Sequence, residues 1–416
     1  MKSSDEKAGG AFYHQLAVSA RKTLGGRLPA TLTDKRWYQA EHRTPTGVSR
    51  MNRRRFLGAA LGTAAVAAVS PSAVASDGLW TYGQRCGVRY GAAIRPGWLK
   101  EDPAYAEALV EECNVAVLEG QMQWPAIEPQ FGQLDFKGAD QGEAWARAHG
   151  IPLRGHNLIS AHVVPDWLKR RSTEDVRAQL EWHVMALASR YKDKIHTWDV
   201  VNEAIDCRSN IGGPEGFRRG VFYDVLGPSY IDLAFRTARA ADPAARLAYN
   251  DNRYELAGEE TVQRRRATLS ILRGLQERGV PLDVFGTQSH LMAGLDYDFP
   301  GLQVFLHQVG ELGLEIHVTE LDVSDQLLPA DIATRDRAVA DLTRTFMDAV
   351  LAVPAVKAVL TWGLTDRYSV LNTKKTYKRK RTDGVQSRGL PLDSELRRKP
   401  MWEAIAGALA DASARG

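Results

Sequence analysis

The 416 residues carry 54 Lys/Arg against 50 Asp/Glu, a formal charge of +4, with 44% hydrophobic residues and 3 cysteines. The basic excess is confined to the front: residues 1–75 hold 12 of the Lys/Arg and 4 of the Asp/Glu, so residues 76–416 are net acidic. Nucleic-acid binding thereby loses its compositional support, and Cys86, Cys113 and Cys207, an odd count without paired metal spacing, argue against zinc and read as free, mostly buried thiols.

The front of the chain reads as a targeting segment. Asn52-Arg53-Arg54-Arg55-Phe56-Leu57 is a twin-arginine pattern, the small apolar run from Gly58 to Val69 follows it, and Ala73-Val74-Ala75 supplies a cleavage site. The run is too short for a bilayer, which takes about 20 apolar residues. Residues 51–75 are therefore expected to be a cleaved twin-arginine signal, recognised by the export machinery, that sends residues 76–416 to the periplasm or the medium. Residues 1–50 resemble neither signal nor core and read as an over-extended start or a disordered extension, with Met51 well placed as a start.

From residue 76 onward, short apolar runs alternate with amphipathic stretches, with no linker, repeat or low-complexity block. Strands are expected at 87–94, 114–119, 152–156, 196–202, 246–250, 284–289, 315–320 and 356–362. Helical patterns include 173–191, 230–241, 258–278, 301–312, 332–352 and 400–412. Eight strand–helix units predict a single α/β domain, a (β/α)8 TIM barrel. A doubly wound sheet is disfavoured because no Gly-rich phosphate loop follows the first strand.

Polar residues mark the carboxyl ends of these strands. Glu119 ends the second, His156 the third, Asn202-Glu203 the fourth, Asn250 the fifth, Gln288 and His290 the sixth, Glu320 the seventh and Trp362 the eighth. They converge on one mouth, where barrel active sites lie. Two strand-end glutamates, in WDVVNEA (198–204) and HVTELD (317–322), suit retaining glycoside cleavage. In that reaction one carboxyl protonates the leaving oxygen and the other attacks the sugar carbon. The acid must be protonated near neutral pH, and an ionised Glu320 is expected to raise the pKa of Glu203. Asn202 is placed to bond the sugar 2-hydroxyl, and Trp198 reads as core packing.

With RGH at 154–156, YND at 249–251, GTQSH at 286–290, WGLTDRYS at 362–369 and KPMWEAI at 399–405, these motifs resemble the family 10 glycoside hydrolases, the endo-β-1,4-xylanases and their relatives, over about residues 86–412. The resemblance implies Glu203 as acid/base and Glu320 as nucleophile, with His290 paired to the nucleophile and Asp322 to that histidine. It also implies sugar contacts from Glu119, His156, Asn250, Gln288 and Trp362, with neither metal nor organic cofactor. The expected partner is a polysaccharide and the expected state a monomer.

The sequence departs from the family in the sugar-binding shell. Its E-N-x-M-K-W reads Glu119-Gly120-Gln121-Met122-Gln123-Trp124 here, and its GHTLVWHSQ reads Gly155-His156-Asn157-Leu158-Ile159-Ser160-Ala161-His162-Val163. Val370 stands where the family has a Trp after Tyr-Ser. A loop after the last strand carries Lys374, Lys375, Lys378, Arg379, Lys380 and Arg381, which read either as a solvated loop or as a contact for an anionic polysaccharide. The expected activity is hydrolysis of xylan. The alternatives are the same chemistry on a bacterial exopolysaccharide or anionic β-glycan, and a non-catalytic carbohydrate-binding barrel.

Overall fold

The structure, a computed structural model, describes residues 77–208, 213–374 and 377–415. The expected export signal and the extension before it lie outside the described residues.

Eight strands, mostly buried on both faces as parallel barrel strands must be, form the interior. They are β1 (Arg89–Ile94), β2 (Val115–Leu118), β3 (Leu153–Ser160), β4 (Ile195–Asn202), β5 (Arg246–Asp251), β6 (Val284–Thr287), β8 (Glu315–Ser324) and β9 (Val356–Thr361). Each pairs in parallel with the next, β6 pairs with β8, and β9 returns to β1, so the sheet closes. The three-residue β7 (His290–Met292) stands apart from the closed ring and, among the described residues, pairs only with β8.

A helix follows each barrel strand and covers it. Thr173–Arg190 shows how sequence makes one: Ser172 caps it by accepting from the Asp175 amide, Glu174 and Asp175 occupy the positive first turn, and Val176, Leu180, Val184 and Leu187 face the core. Asp298 and Asp331 cap the helices Phe299–Glu311 and Ile332–Leu351 in the same way. The helices Leu79–Arg85 and Pro400–Arg415 are joined through buried Glu112, which accepts from the Leu79 amide (2.8 Å) and the Trp402 indole (2.9 Å). All three cysteines are free, Cys113 buried and Cys86 and Cys207 half-buried.

Two strands outrun their expected ends. β3 continues past His156 to Ser160, with a register shift between His156 and Ile159 and a cis peptide between His156 and Asn157. β8 continues past Glu320 to Ser324, with a shift between Val318 and Leu321. His156 and Glu320 thus lie inside strands at irregularities, not at strand ends. A bulge turns a side chain without terminating pairing, and the extra length of β8 pairs with β7 at His290↔Asp322.

Gly155, in the RGH motif, is required by packing. An added Cβ would lie 2.2 Å from the ring of Trp198, which is fully buried. Gly155→Ala is expected to destabilise the barrel by roughly 1–3 kcal/mol through overpacking, read as a lower urea midpoint. An unchanged midpoint would show that Trp198 can move aside.

Candidate active site

Three amide side chains link the two glutamates. Gln288, directly after β6, donates Nε2 to Glu203 Oε1 (3.0 Å) and to Asn202 Oδ1 (3.1 Å). Asn250, near the end of β5, donates Nδ2 to the same Asn202 oxygen (2.9 Å) and to Glu320 Oε1 (2.9 Å). Thr319 fixes the sense of the Asn250 amide by donating its hydroxyl to Oδ1 at 2.8 Å. Glu203 follows the last residue of β4 with φ 58°, so the chain turns sharply there and its amide bonds Asn250 O.

The other oxygen of Glu320 faces His290 Nε2 at 3.2 Å, and His290 Nδ1 lies 2.9 Å from Asp322 Oδ1. Burial disfavours charge on His290, but Asp322, Tyr377 and Glu320 outweigh it and hold the imidazole well above its usual pKa. The Asp322 carboxyl, despite burial, stays below the ordinary value because Arg379 and His290 face it.

Beneath Glu320 lies a buried charge web. Asp199 pairs with Arg154 (Nε at 3.1 Å) and with His156 Nδ1 (3.1 Å), and His156 lies 4.0 Å from Glu320. Burial opposes charge on His156, yet Glu320 and Asp199 raise its pKa. Trp362, 8% exposed, stands edge-on to the rings of His156 and His290.

Glu203 departs from expectation. Burial raises its pKa, but His162, the Gln288 amide, Arg218 and His290 outweigh burial, and its carboxyl lies below the ordinary glutamate value. His162 Nδ1 is 3.4 Å and Arg218 NH2 3.6 Å from Glu203 Oε2, while Arg218 also donates to Glu203 O (2.8 Å). Any upward push from Glu320 is outweighed by these neighbours, although burial holds His162 itself below the usual imidazole pKa.

All ten residues singled out lie at or just below the mouth. Glu119 is the outlier in chemistry, since both its oxygens are taken by Arg95, whose guanidinium also covers the Trp98 ring at 4.6 Å. The sequence reading missed Arg95, Arg154, Asp199, His162 and Arg218. The Asp199 signal was present: a carboxylate inside an apolar strand, in register with His156, demands a cation.

The basic loop is corrected. Arg379 turns inward, bonding Asp322 Oδ1 (2.8 Å) and Leu291 O. Arg381 is buried, donating to Asp325 O and to Leu328 O (3.0 Å). Lys374 and Lys378 are exposed, and Lys375 lies outside the described residues. The loop brings Tyr377 against a cluster that contains Trp362 and Val370.

Two carboxylates joined by amides at the carboxyl end of a closed (β/α)8 barrel, beside an edge-on tryptophan, define a glycoside hydrolase. Residues 79–408 match the profile of Glycosyl hydrolase family 10, and the chain belongs to that family. Endo-1,4-beta-xylanase C of Phanerodontia chrysosporium is 33% identical over 287 residues, 68% of this chain and 67% of that protein. Endo-1,4-beta-xylanase 1 of Humicola insolens is 31% identical over 84% of this chain and 77% of its own length. The crystal structure of native xylanase 10B from Thermotoga maritima superposes with a TM-score of 0.72 at 30% identity, covering 82% of this chain and 100% of that one.

Removing Arg379 leaves Asp322 ion-paired, among the described residues, with His290 alone. Arg379→Ala is expected to cost about 1–3 kcal/mol, the scale for a lost charge-assisted hydrogen bond when another partner still answers the carboxylate. Lys378→Ala, on the exposed side of the same loop, should stay within about 0.5 kcal/mol. Chemical denaturation of both variants checks the assignment; equal effects would overturn it.

Proposed function

We propose that the protein is a retaining endo-β-1,4-xylanase in which Glu320 attacks the anomeric carbon and Glu203 protonates the leaving oxygen. The observation that carries this is the bridge Glu203–Gln288–Asn202–Asn250–Glu320, which holds two carboxylates facing one mouth. In the first step the carbon–oxygen bond breaks, a glycosyl ester forms on Glu320, and the Glu203 proton leaves with the aglycone. In the second, ionised Glu203 takes a proton from water, the water oxygen bonds the anomeric carbon, and Glu320 is released. Asn202 Oδ1 is occupied by two amides, so its Nδ2 is left for the sugar 2-hydroxyl. Trp362 supplies an apolar face for the ring.

Xylan is favoured as substrate because the relatives above are named as xylanases, and one solved neighbour, xylanase 10B from Thermotoga petrophila, is described in complex with xylobiose. The Arg95–Glu119 pairing, with Gly120, Gln123, Ser160, Val163 and Val370 in place of the family residues, favours a second reading, a differently decorated β-glycan. Reducing-sugar release from xylan and from a panel of bacterial exopolysaccharides separates the two; no release from xylan under any condition sinks the first. A non-catalytic barrel gains no support, since both carboxylates are present and held. Glu320→Ala should abolish turnover of every substrate. Glu203→Ala should retain the first step only on aryl glycosides, whose leaving groups need no proton. Equal losses on both substrate types would contradict these roles.

The cations around Glu203 set a pH expectation. They favour its ionised form, so the proton is lost at lower pH, and kcat/KM falls as pH rises through that value. Acidic neighbours act the other way: Asp206 lies 3.2 Å from Arg218, and buried Asp251, itself pushed up to about 6, also feels Glu203. His162→Ser removes the imidazole beside Glu203, which burial holds below the usual imidazole pKa, and leaves Arg218 and His290 in place. The alkaline limb of kcat/KM should then move to higher pH. A limb that stays fixed, or moves down, would exclude His162 as a partner of the acid.

A further inference from the structure

We propose that the amino-terminal end of the barrel, opposite the catalytic mouth, is a binding site for a small multivalent oxyanion, of which inorganic phosphate is the simplest. A cavity of about 250 Å³ opens there, walled by residues at or near the first positions of the strands. Arg89 begins β1, Arg246 begins β5, and Lys357 is second in β9. Arg154, 2% exposed, reaches the same space from β3.

Charge in this cavity is not balanced. Its one carboxylate is Glu315, which meets Arg246 at 3.1 Å and His317 at 3.6 Å. Arg154 is answered by Asp199 in the barrel interior. Among the described residues Arg89 and Lys357 make no ion pair within 4 Å, and the Arg246 Nε–H is buried without an acceptor. Burial is the main cause that holds both histidines of the wall below the usual imidazole pKa, and neighbouring arginines add to it. His317 is pushed down to about 4 by burial, against the pull of Glu315 and with help from Arg154. His196 is lowered by burial and then by Arg89 and Arg246.

An oxyanion supplies what this wall lacks: several acceptor oxygens on a compact charge, matched to guanidinium donors in a fork. Neutral His317 accepts from Arg154 NH1 through Nδ1 (2.8 Å), while its Nε2 faces Glu315 at 3.6 Å, so the donors left for the anion are those of the arginines and Lys357. A cavity of this size holds a phosphate with a few waters, whereas the polysaccharide is handled at the other end. Occupation should therefore appear as stability and not as a change in turnover.

The test uses the full chain at pH 7, with sodium phosphate titrated against sodium chloride at equal ionic strength. For the wild type we expect a saturable rise in Tm with phosphate and a heat of binding with one site per chain. Arg89→Ala/Lys357→Ala should weaken phosphate binding at least tenfold, and without phosphate its Tm should not fall, because like charges are removed. Glu315→Gln, which deletes the competing carboxylate, should bind phosphate more tightly. Glycan hydrolysis should be indifferent to phosphate in all three proteins. A wild-type response no larger than that to chloride overturns the proposal, as does the same response in the double variant. A failure of xylan hydrolysis would leave this result untouched, so the two readings fail separately.

Discussion

The barrel interior excludes water, so a charge placed there must be answered by another charge on a neighbouring strand. Arg154 on β3 and Asp199 on β4 are such a pair, 2% and 1% exposed, and much of the interior chemistry is arranged about them. The Asp199 carboxylate reaches up to His156, which stands below Glu320. Downward, the Arg154 guanidinium reaches His317 and the basal cavity. A single column of charge therefore runs along the barrel axis, and its position is fixed by the direct register of His156 with Asp199. Gly155 between the two working residues of β3 is the packing counterpart, since the indole of Trp198 occupies the volume of its missing side chain.

At the mouth the same rule is applied twice more. His290 is held between Asp322 and Glu320, and Arg379 returns from a distant loop to face Asp322. On the other side His162 and Arg218 face Glu203. The neutral amides Asn202, Asn250 and Gln288 lie between these clusters. Amides transmit geometry without adding charge, so the position of each carboxylate is tied to the other's while their nearest charged partners differ, His290 for Glu320 and Arg218 for Glu203. That separation is what a mechanism with two unlike carboxylates requires.

The architecture and the two glutamates were legible in the sequence for a specific physical reason. Parallel barrel strands are apolar runs, so a polar residue at or just past the end of such a run stands out, as Glu119, Asn202, Glu203 and Gln288 do. Register irregularities leave no such mark. The continuation of β3 and β8 past His156 and Glu320 depends on how neighbouring strands pair, which one strand's own sequence does not encode. Loop residues were equally opaque. His162 and Arg218 reach Glu203 from segments with no periodic pattern. A run of six cations reads as solvated or ligand-facing from charge alone, whereas Arg379 and Arg381 are consumed by Asp322 and Asp325.

The rewritten sugar shell follows from the same accounting of partners. Arg95 takes both oxygens of Glu119, so a carboxylate that could accept sugar hydroxyls is already paired. Gly120, Gln123 and Ser160 stand where the resembled family carries other side chains, while Tyr377 places an aromatic ring beside Trp362 and Val370. The amide bridge is closed by its own hydrogen bonds, and of these residues Tyr377 reaches the His290–Asp322–Arg379 chain, its hydroxyl 3.5 Å from Arg379 NH1. The hydrogen bonds that hold Glu203 and Glu320 and the residues that depart from the family are therefore largely distinct sets in this barrel, and they meet at Tyr377.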